Sequence, residues 1–213
     1  MANIAAQRTR VEVQEGDFEL IGGHPALDLV NTLDWRFRDA PPPLELLADY
    51  NDLVHFAAQS GLMSRAQAAR LHRNTSASKA AAVLAAVREL REATAQVTYA
   101  ALEQTRPRAS AIKKLEEYFN RAREAEGLNW DGTKLTWGLE DSVAAAELPL
   151  WLLSRITAEL LTSDAMDMLR ACGNPECRWL FLDTSKNHTR RWCDMKICGN
   201  RMKARRFKAQ HRG

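Results

Sequence analysis

All four cysteines of this 213-residue chain fall between residues 172 and 198, as two pairs: Cys172 with Cys177 in CGNPEC, and Cys193 with Cys198 in CDMKIC. Four residues separate the members of each pair, and fifteen separate the pairs. Two close pairs joined by a short arm suit one tetrahedral metal site, because each pair forms a knuckle and the arm folds back as a hairpin. Four thiolates complete the coordination sphere and leave no position for water or substrate, so such a metal is structural. Gly173, Asn174 and Pro175 inside the first pair supply a turn. Gly199, after the second pair, is expected at positive φ, where backbone N–H groups turn toward sulfur. A segment of about 40 residues rarely folds without a staple, and structural zinc contributes on the order of 10–16 kcal/mol in small modules. Unpartnered buried thiols, two disulfides and an iron–sulfur cluster remain as other readings of the same cysteines. Clustering, spacing and context favour a single Zn2+ over all three.

Charge points to the partner. Residues 172–213 hold 11 Lys/Arg against Glu176, Asp183 and Asp194, a formal balance of +8, whereas residues 1–171 balance at −5. A basic tail on an acidic body implies a polyanion, and duplex DNA is the partner expected. A helix over Asn200–Arg212, capped by Asn200, aligns Arg201, Arg205, Lys208 and Arg212 in one stripe. Lys203 and Arg206 add charge beside it, and the arm brings Lys186, Arg190 and Arg191. A basic helix beside a basic loop is a reader of DNA backbone or groove. Met202 with Ala209, and Ala204 with Phe207, are expected to pack the helix on the zinc core. RNA stays open through stacking on Trp179, Phe181 and Trp192. A membrane surface fits less well, since the helix lacks a wide apolar face.

The run from Cys172 through WLFLDTSKN and RRWCDMKICGNR resembles the CGNR zinc-finger family, whose motif here is Cys198-Gly199-Asn200-Arg201. IGGHPALDLVNTLDWR, residues 21–36, resembles the opening of the ABATE-type domain, a stress-induced transcription regulator that precedes this finger in the family. The resemblance implies a DNA-binding transcription regulator, with Cys172, Cys177, Cys193 and Cys198 as zinc ligands and a helical domain at the N-terminal side.

The rest of the chain reads as mainly α with small β-hairpin elements: a helical sensor or dimerisation domain over residues 1–168, and the zinc module over 169–213. A short strand is expected at Phe18–Ile21. Helices are expected from Pro25 to about Trp35 (with Leu27, Val30, Leu33 and Phe37 buried), over Leu44–Gln59, and from Ser64 to Arg73. A long one follows Ser76 or Ser78 and stops at Pro107, and another carries Ile112, Leu115, Phe119 and Ala122. Leu128 and Trp130, then Asp131-Gly132, then alternating Leu135, Trp137 and Leu139 predict a hairpin. A helix from Pro149 leads to the Ser163-Asp164 cap. MANIAAQRTR lacks an apolar core and no apolar run approaches about 18 residues, so neither secretion nor membrane spanning is indicated, and a cytoplasmic setting is expected. His24 and Asp28, four residues apart, raise an enzyme reading, but a glycine turn with backbone-satisfying polar groups accounts for them better. Asn31, Trp35 and Arg36 are candidates for a small-molecule effector pocket. Dimerisation through the body is expected, because one finger offers a small footprint. An RNA- or protein-interaction module and an enzyme with a structural zinc are the alternative functions.

Overall fold

The computed structural model describes residues 17–139 and 145–211. Seven helices and three two-stranded hairpins make up these residues. Phe18–Ile21 is not the strand expected there, and no strand lies beside it among the described residues; instead the Gln59 side chain accepts from the Phe18 N–H at 2.8 Å and donates to the Phe18 carbonyl at 2.9 Å. One amide side chain thus does the work of a neighbouring strand.

Helix α1 (Pro25–Asn31) starts with proline in its first turn and a His24 cap, and ends four residues earlier than its periodicity suggested. The Thr32 hydroxyl donates to the Leu29 carbonyl at 2.7 Å, and the chain turns into β1 (Leu33–Asp34), which pairs with β2 (Leu44–Glu45). Phe37 therefore leaves the helix; it is 43% exposed and sits edge-on against Tyr99. The expected helix at Leu44 likewise starts late, as α2 (Tyr50–Gln59). Asp49 and Asp52 form a reciprocal capping box there, and Ser60-Gly61 ends the helix. A second capping box, Ser64 with Gln67, opens α3 (Arg65–Asn74).

Helix α4 (Ala77–Leu102) is the axis of the body, capped by Ser76. Of the face that spacing predicts (Val83, Val87, Leu90, Thr94, Val97 and Ala101), the first four are buried, Val97 is half-buried and Ala101 exposed, while Thr98 is buried in addition. Both threonine hydroxyls bond to carbonyls one turn back, so neither is stranded in the core. Residue Gln104 at φ 53 turns the chain before Pro107 is reached. Helix α5 (Ala109–Glu124) packs along α4 through Ala111, Leu115, Tyr118 and Ala122, leaving Ile112 at the surface. The hairpin β3 (Glu126–Trp130) with β4 (Leu135–Leu139) follows. Helix α6 (Leu148–Leu161) then returns against α1, α4 and α5 with Leu150, Leu153, Ile156 and Leu160 buried.

A 3-10 turn capped by Ser163 leads into β5 (Leu169–Ala171), antiparallel to β6 (Leu180–Leu182). This hairpin belongs to two cores at once. Leu169, Leu180 and Leu182 lie in the apolar cluster of the helical body. Trp179 and Phe181 lie in a second, smaller cluster with the four cysteines, joined by Ile21, Trp35 and Trp192. The outer edge of β6 is closed by the body: the Leu182 N–H donates to the Gly22 carbonyl, and the Asn31 side chain bonds to both backbone groups of Leu180.

Candidate metal centre and its basic surround

The first cysteine pair is shaped by Asn174. Its carbonyl accepts from the N–H groups of Cys177 and Arg178, and Arg178 itself takes a left-handed φ of 49° to close the knuckle. The fully buried Asn174 side chain reaches across to Cys198, with Nδ2 3.6 Å from Sγ. The second pair is shaped by Asp194, whose carboxylate accepts from the N–H groups of Lys196 and Ile197, capping a π-turn (Met195–Gly199) that runs straight into α7 (Asn200–Gln210). The cap is therefore Asp194 and not Asn200, which lies inside the helix. Gly199 has helical φ of −59°, contrary to the positive value expected; a Cβ at this position would run into the Met195 thioether and the Trp192 ring.

The four Sγ atoms lie within 4.8 Å of one another and all four cysteines are buried. Cys177 and Cys193 are 3.7 Å apart at sulfur. A tetrahedron with Zn–S of about 2.3 Å has edges of about 3.8 Å, whereas a disulfide needs about 2.05 Å. Separate irons of a cluster would hold the sulfurs further apart, so the set suits one mononuclear ion. Its electrostatics suit a cation. Hydrogen bonds from Cys177 and Cys193 draw Cys172 down to about 2, with the backbone N–H groups of Cys193 and Asn174 adding to the effect. Sharing protons with Cys172 pushes Cys177 and Cys193 above the ordinary thiol range, and burial raises Cys198. Four sulfurs this close share protons unless a metal replaces them. Four buried thiolates form a closed site for one structural zinc ion.

The arm between the pairs is held internally. Buried Asp183 accepts from Ser185 and from the Arg190 N–H, and the Ser185 hydroxyl bond holds its carboxyl below the ordinary carboxylate range. The Arg190 guanidinium lies 4.1 Å over Phe181 and donates to the carbonyls of Trp192 and Cys193. It braces the arm. Trp179 and Phe181 are buried and Trp192 half-buried, so the first two are core residues and offer no open ring face.

Helix α7 meets the body differently from the expectation. Arg201 lies 4.4 Å over the Trp35 ring, which Arg38 also approaches at 3.7 Å. Arg205 donates to Glu176 at 2.6 Å, and Glu176 is shared with Arg38 at 3.7 Å. Two members of the stripe therefore tie the helix down. Lys203 and Arg206 lie on the other side of α7, and both are exposed. Ala204, Phe207 and Ala209 are exposed rather than packed on the zinc core; Phe207 stacks on His211, and only Met202 is half-buried. Lys186, Lys196, Lys203, Arg206 and Lys208 are exposed with no side-chain bond or ion pair among the described residues, and Arg191 meets only the Trp192 ring. Arg212 lies outside the described residues.

The three candidate pocket residues do not converge. Asn31 is consumed by Leu180, and Arg36 pairs with Glu92 and donates to the Val30 carbonyl at 3.1 Å. Trp35 alone lines a cleft of about 520 Å3 between body and finger, with Asp34, Trp179, Ile197 and Arg201. Its φ of 53° is a left-handed conformation that a bulky residue rarely adopts. His24 and Asp28 form no acid–base pair: His24 caps α1, and Asp28 accepts from the Gly22 N–H at 2.6 Å. Sequence reasoning missed Glu176 and Trp35 as partners of α7, because neither contact leaves a local pattern.

Fold and site together define a class: a helical body with a closed four-cysteine finger built into its edge and a basic helix at the tip. The family model of the ABATE domain, described as "Putative stress-induced transcription regulator", matches residues 23–164, and that of the CGNR zinc finger matches residues 168–211. The chain belongs to the ABATE family, and its finger is a CGNR zinc finger. No curated protein matches the chain. Among the described residues, no helix is long and apolar enough to cross a membrane.

Proposed function

We propose that this regulator binds duplex DNA through its finger, with the outward side of α7 and the arm lying along the phosphate backbone. The observation that carries the reading is the set of unpaired cations. Lys186, Lys196, Lys203, Arg206 and Lys208 all stand in solvent without an acidic partner among the described residues, while neighbouring Arg201 lies over Trp35 of the body and Arg205 pairs with Glu176 of the first knuckle. Cations left unneutralised on a rigid, metal-held frame are placed for phosphate contacts. The RNA reading is weaker, because Trp179 and Phe181 are buried and cannot stack on bases. Catalysis is not proposed, since His24 and Asp28 are engaged with backbone groups.

Salt dependence of DNA affinity tests this directly. Five phosphate contacts give a log–log slope of about −4.5, and Lys203→Ala with Arg206→Ala makes it shallower by about 2. Arg205→Ala leaves that slope essentially unaltered. A flat salt dependence in the zinc-loaded protein refutes the reading, and preference for single-stranded RNA over duplex DNA transfers it to the alternative.

A further inference from the structure

The hairpin β3–β4 stands away from the body with its apolar side chains uncovered. Leu128, Trp130, Leu135 and Trp137 are 55%, 65%, 61% and 71% exposed. The register pairs Leu128 with Trp137 and Trp130 with Leu135. Side chains alternate across a strand, so all four share one face. The opposite face carries the pairs Gly127–Gly138 and Asn129–Thr136. Among the described residues, the base of the hairpin is tied to the body through α5 and the Glu126–Arg155 ion pair at 3.7 Å. A two-stranded ribbon with nothing over its apolar face is marginal in water.

We propose that this face docks against the same face of a second copy of the chain, around a two-fold axis. Area and pattern both select a second copy. Tryptophan side chains present up to about 250 Å2 each, so these exposures, with the leucines, leave roughly 500 Å2 of apolar surface per chain, in the upper range for a monomer. Two such faces bury about 1,000 Å2, the lower bound of a specific interface. The pattern is a chequer, with Trp130 and Trp137 on one diagonal and Leu128 and Leu135 on the other. Rotation by 180° about either axis in the contact plane, along or across the strands, sets every tryptophan over a leucine of the partner. Large opposite smaller is how facing layers interdigitate, and a self-complementary patch is what an isologous dimer requires. A bilayer or an unrelated apolar peptide has no need of that order. The proposal stands whether or not the finger binds DNA.

Sedimentation equilibrium of the zinc-loaded full chain at micromolar concentration is the test. The native protein is expected at about 48 kDa, twice the 24.0 kDa chain. Trp130→Thr with Trp137→Thr keeps strand propensity and weakens the dimer at least about 100-fold, with zinc content and far-UV circular dichroism unaltered. Leu128→Glu with Leu135→Glu, which sets like charges across the axis, dissociates it as well and guards against a local loss of the hairpin in the first variant. A native protein of single-chain mass overturns the proposal, as does a dimer that survives both pairs of substitutions. A native monomer that sediments with phosphatidylcholine vesicles overturns it in favour of a membrane surface.

Discussion

Asn31→Ala distinguishes a side chain that joins two parts of the fold from one that holds a ligand. In the native protein, Asn31 Oδ1 accepts from the Leu180 N–H at 2.8 Å and Nδ2 donates to the Leu180 carbonyl at 2.9 Å. Asn31 is 4% exposed and Leu180 fully buried, so water has no ready access to either group. These two backbone groups point away from β5, on the edge of β6 that faces α1. Alanine leaves both without a partner. Each orphaned buried group costs about 1–3 kcal/mol, so about 3 kcal/mol is a conservative sum for the pair. Against a total stability of about 5–15 kcal/mol this is a large fraction. For a chain of this length it corresponds to a fall in Tm of roughly 6–12 °C. Urea titration followed by far-UV circular dichroism reads the loss as a lower midpoint at constant m-value. Asn31→Asp keeps the acceptor but sets a carboxylate against the Leu180 carbonyl, and is expected to cost at least as much. A loss below about 1 kcal/mol in Asn31→Ala would refute the reasoning, because the double bond to β6 would then contribute almost nothing.

Cys193→Ser is expected to abolish stoichiometric zinc, measured by elemental analysis, and to lower the Tm of the whole chain, since the finger shares Leu169, Leu180 and Leu182 with the body core. A body that melts unperturbed in this variant argues against the shared core. Arg36→Ala is expected to cost about 1–2 kcal/mol by removing one of the two arginines that bond Glu92, Arg91 being the other, and the donor to the Val30 carbonyl, read by the same urea titration. Trp35→Ala removes the ring beneath Arg201. Amide exchange across residues 200–210 is expected to accelerate while zinc content holds, and unchanged exchange would show that Glu176 alone secures the helix.

What was legible in the sequence was local. The cysteine spacing, the Ser64 cap, the Asp131-Gly132 turn and the first four members of the α4 stripe each declare themselves within a few residues, because the physics that fixes them acts over that range. The departures arise where a distant group competes. Phe18 is satisfied by Gln59 rather than by a strand, and α1 stops at Asn31 because Thr32 and the β1–β2 pair take over. Periodicity on α7 correctly aligns Arg201 with Arg205, yet cannot say which side of a helix meets the protein. That depends on Trp35 and Glu176, which engage the aligned arginines although both stay exposed. Asn31 looked like a ligand donor because its partner lies 149 residues further along.

The shared hairpin β5–β6 has a consequence for how such a protein can be rearranged. A cut at residue 168 would strip Leu169, Leu180 and Leu182 from beneath the helices and strand Asn31 with two unmet bonds. The excised finger would carry the same leucines into solvent. Recombination that shuffles zinc fingers as beads on a string therefore has no clean joint here, and a graft onto another carrier must bring a surface shaped like α1 with it.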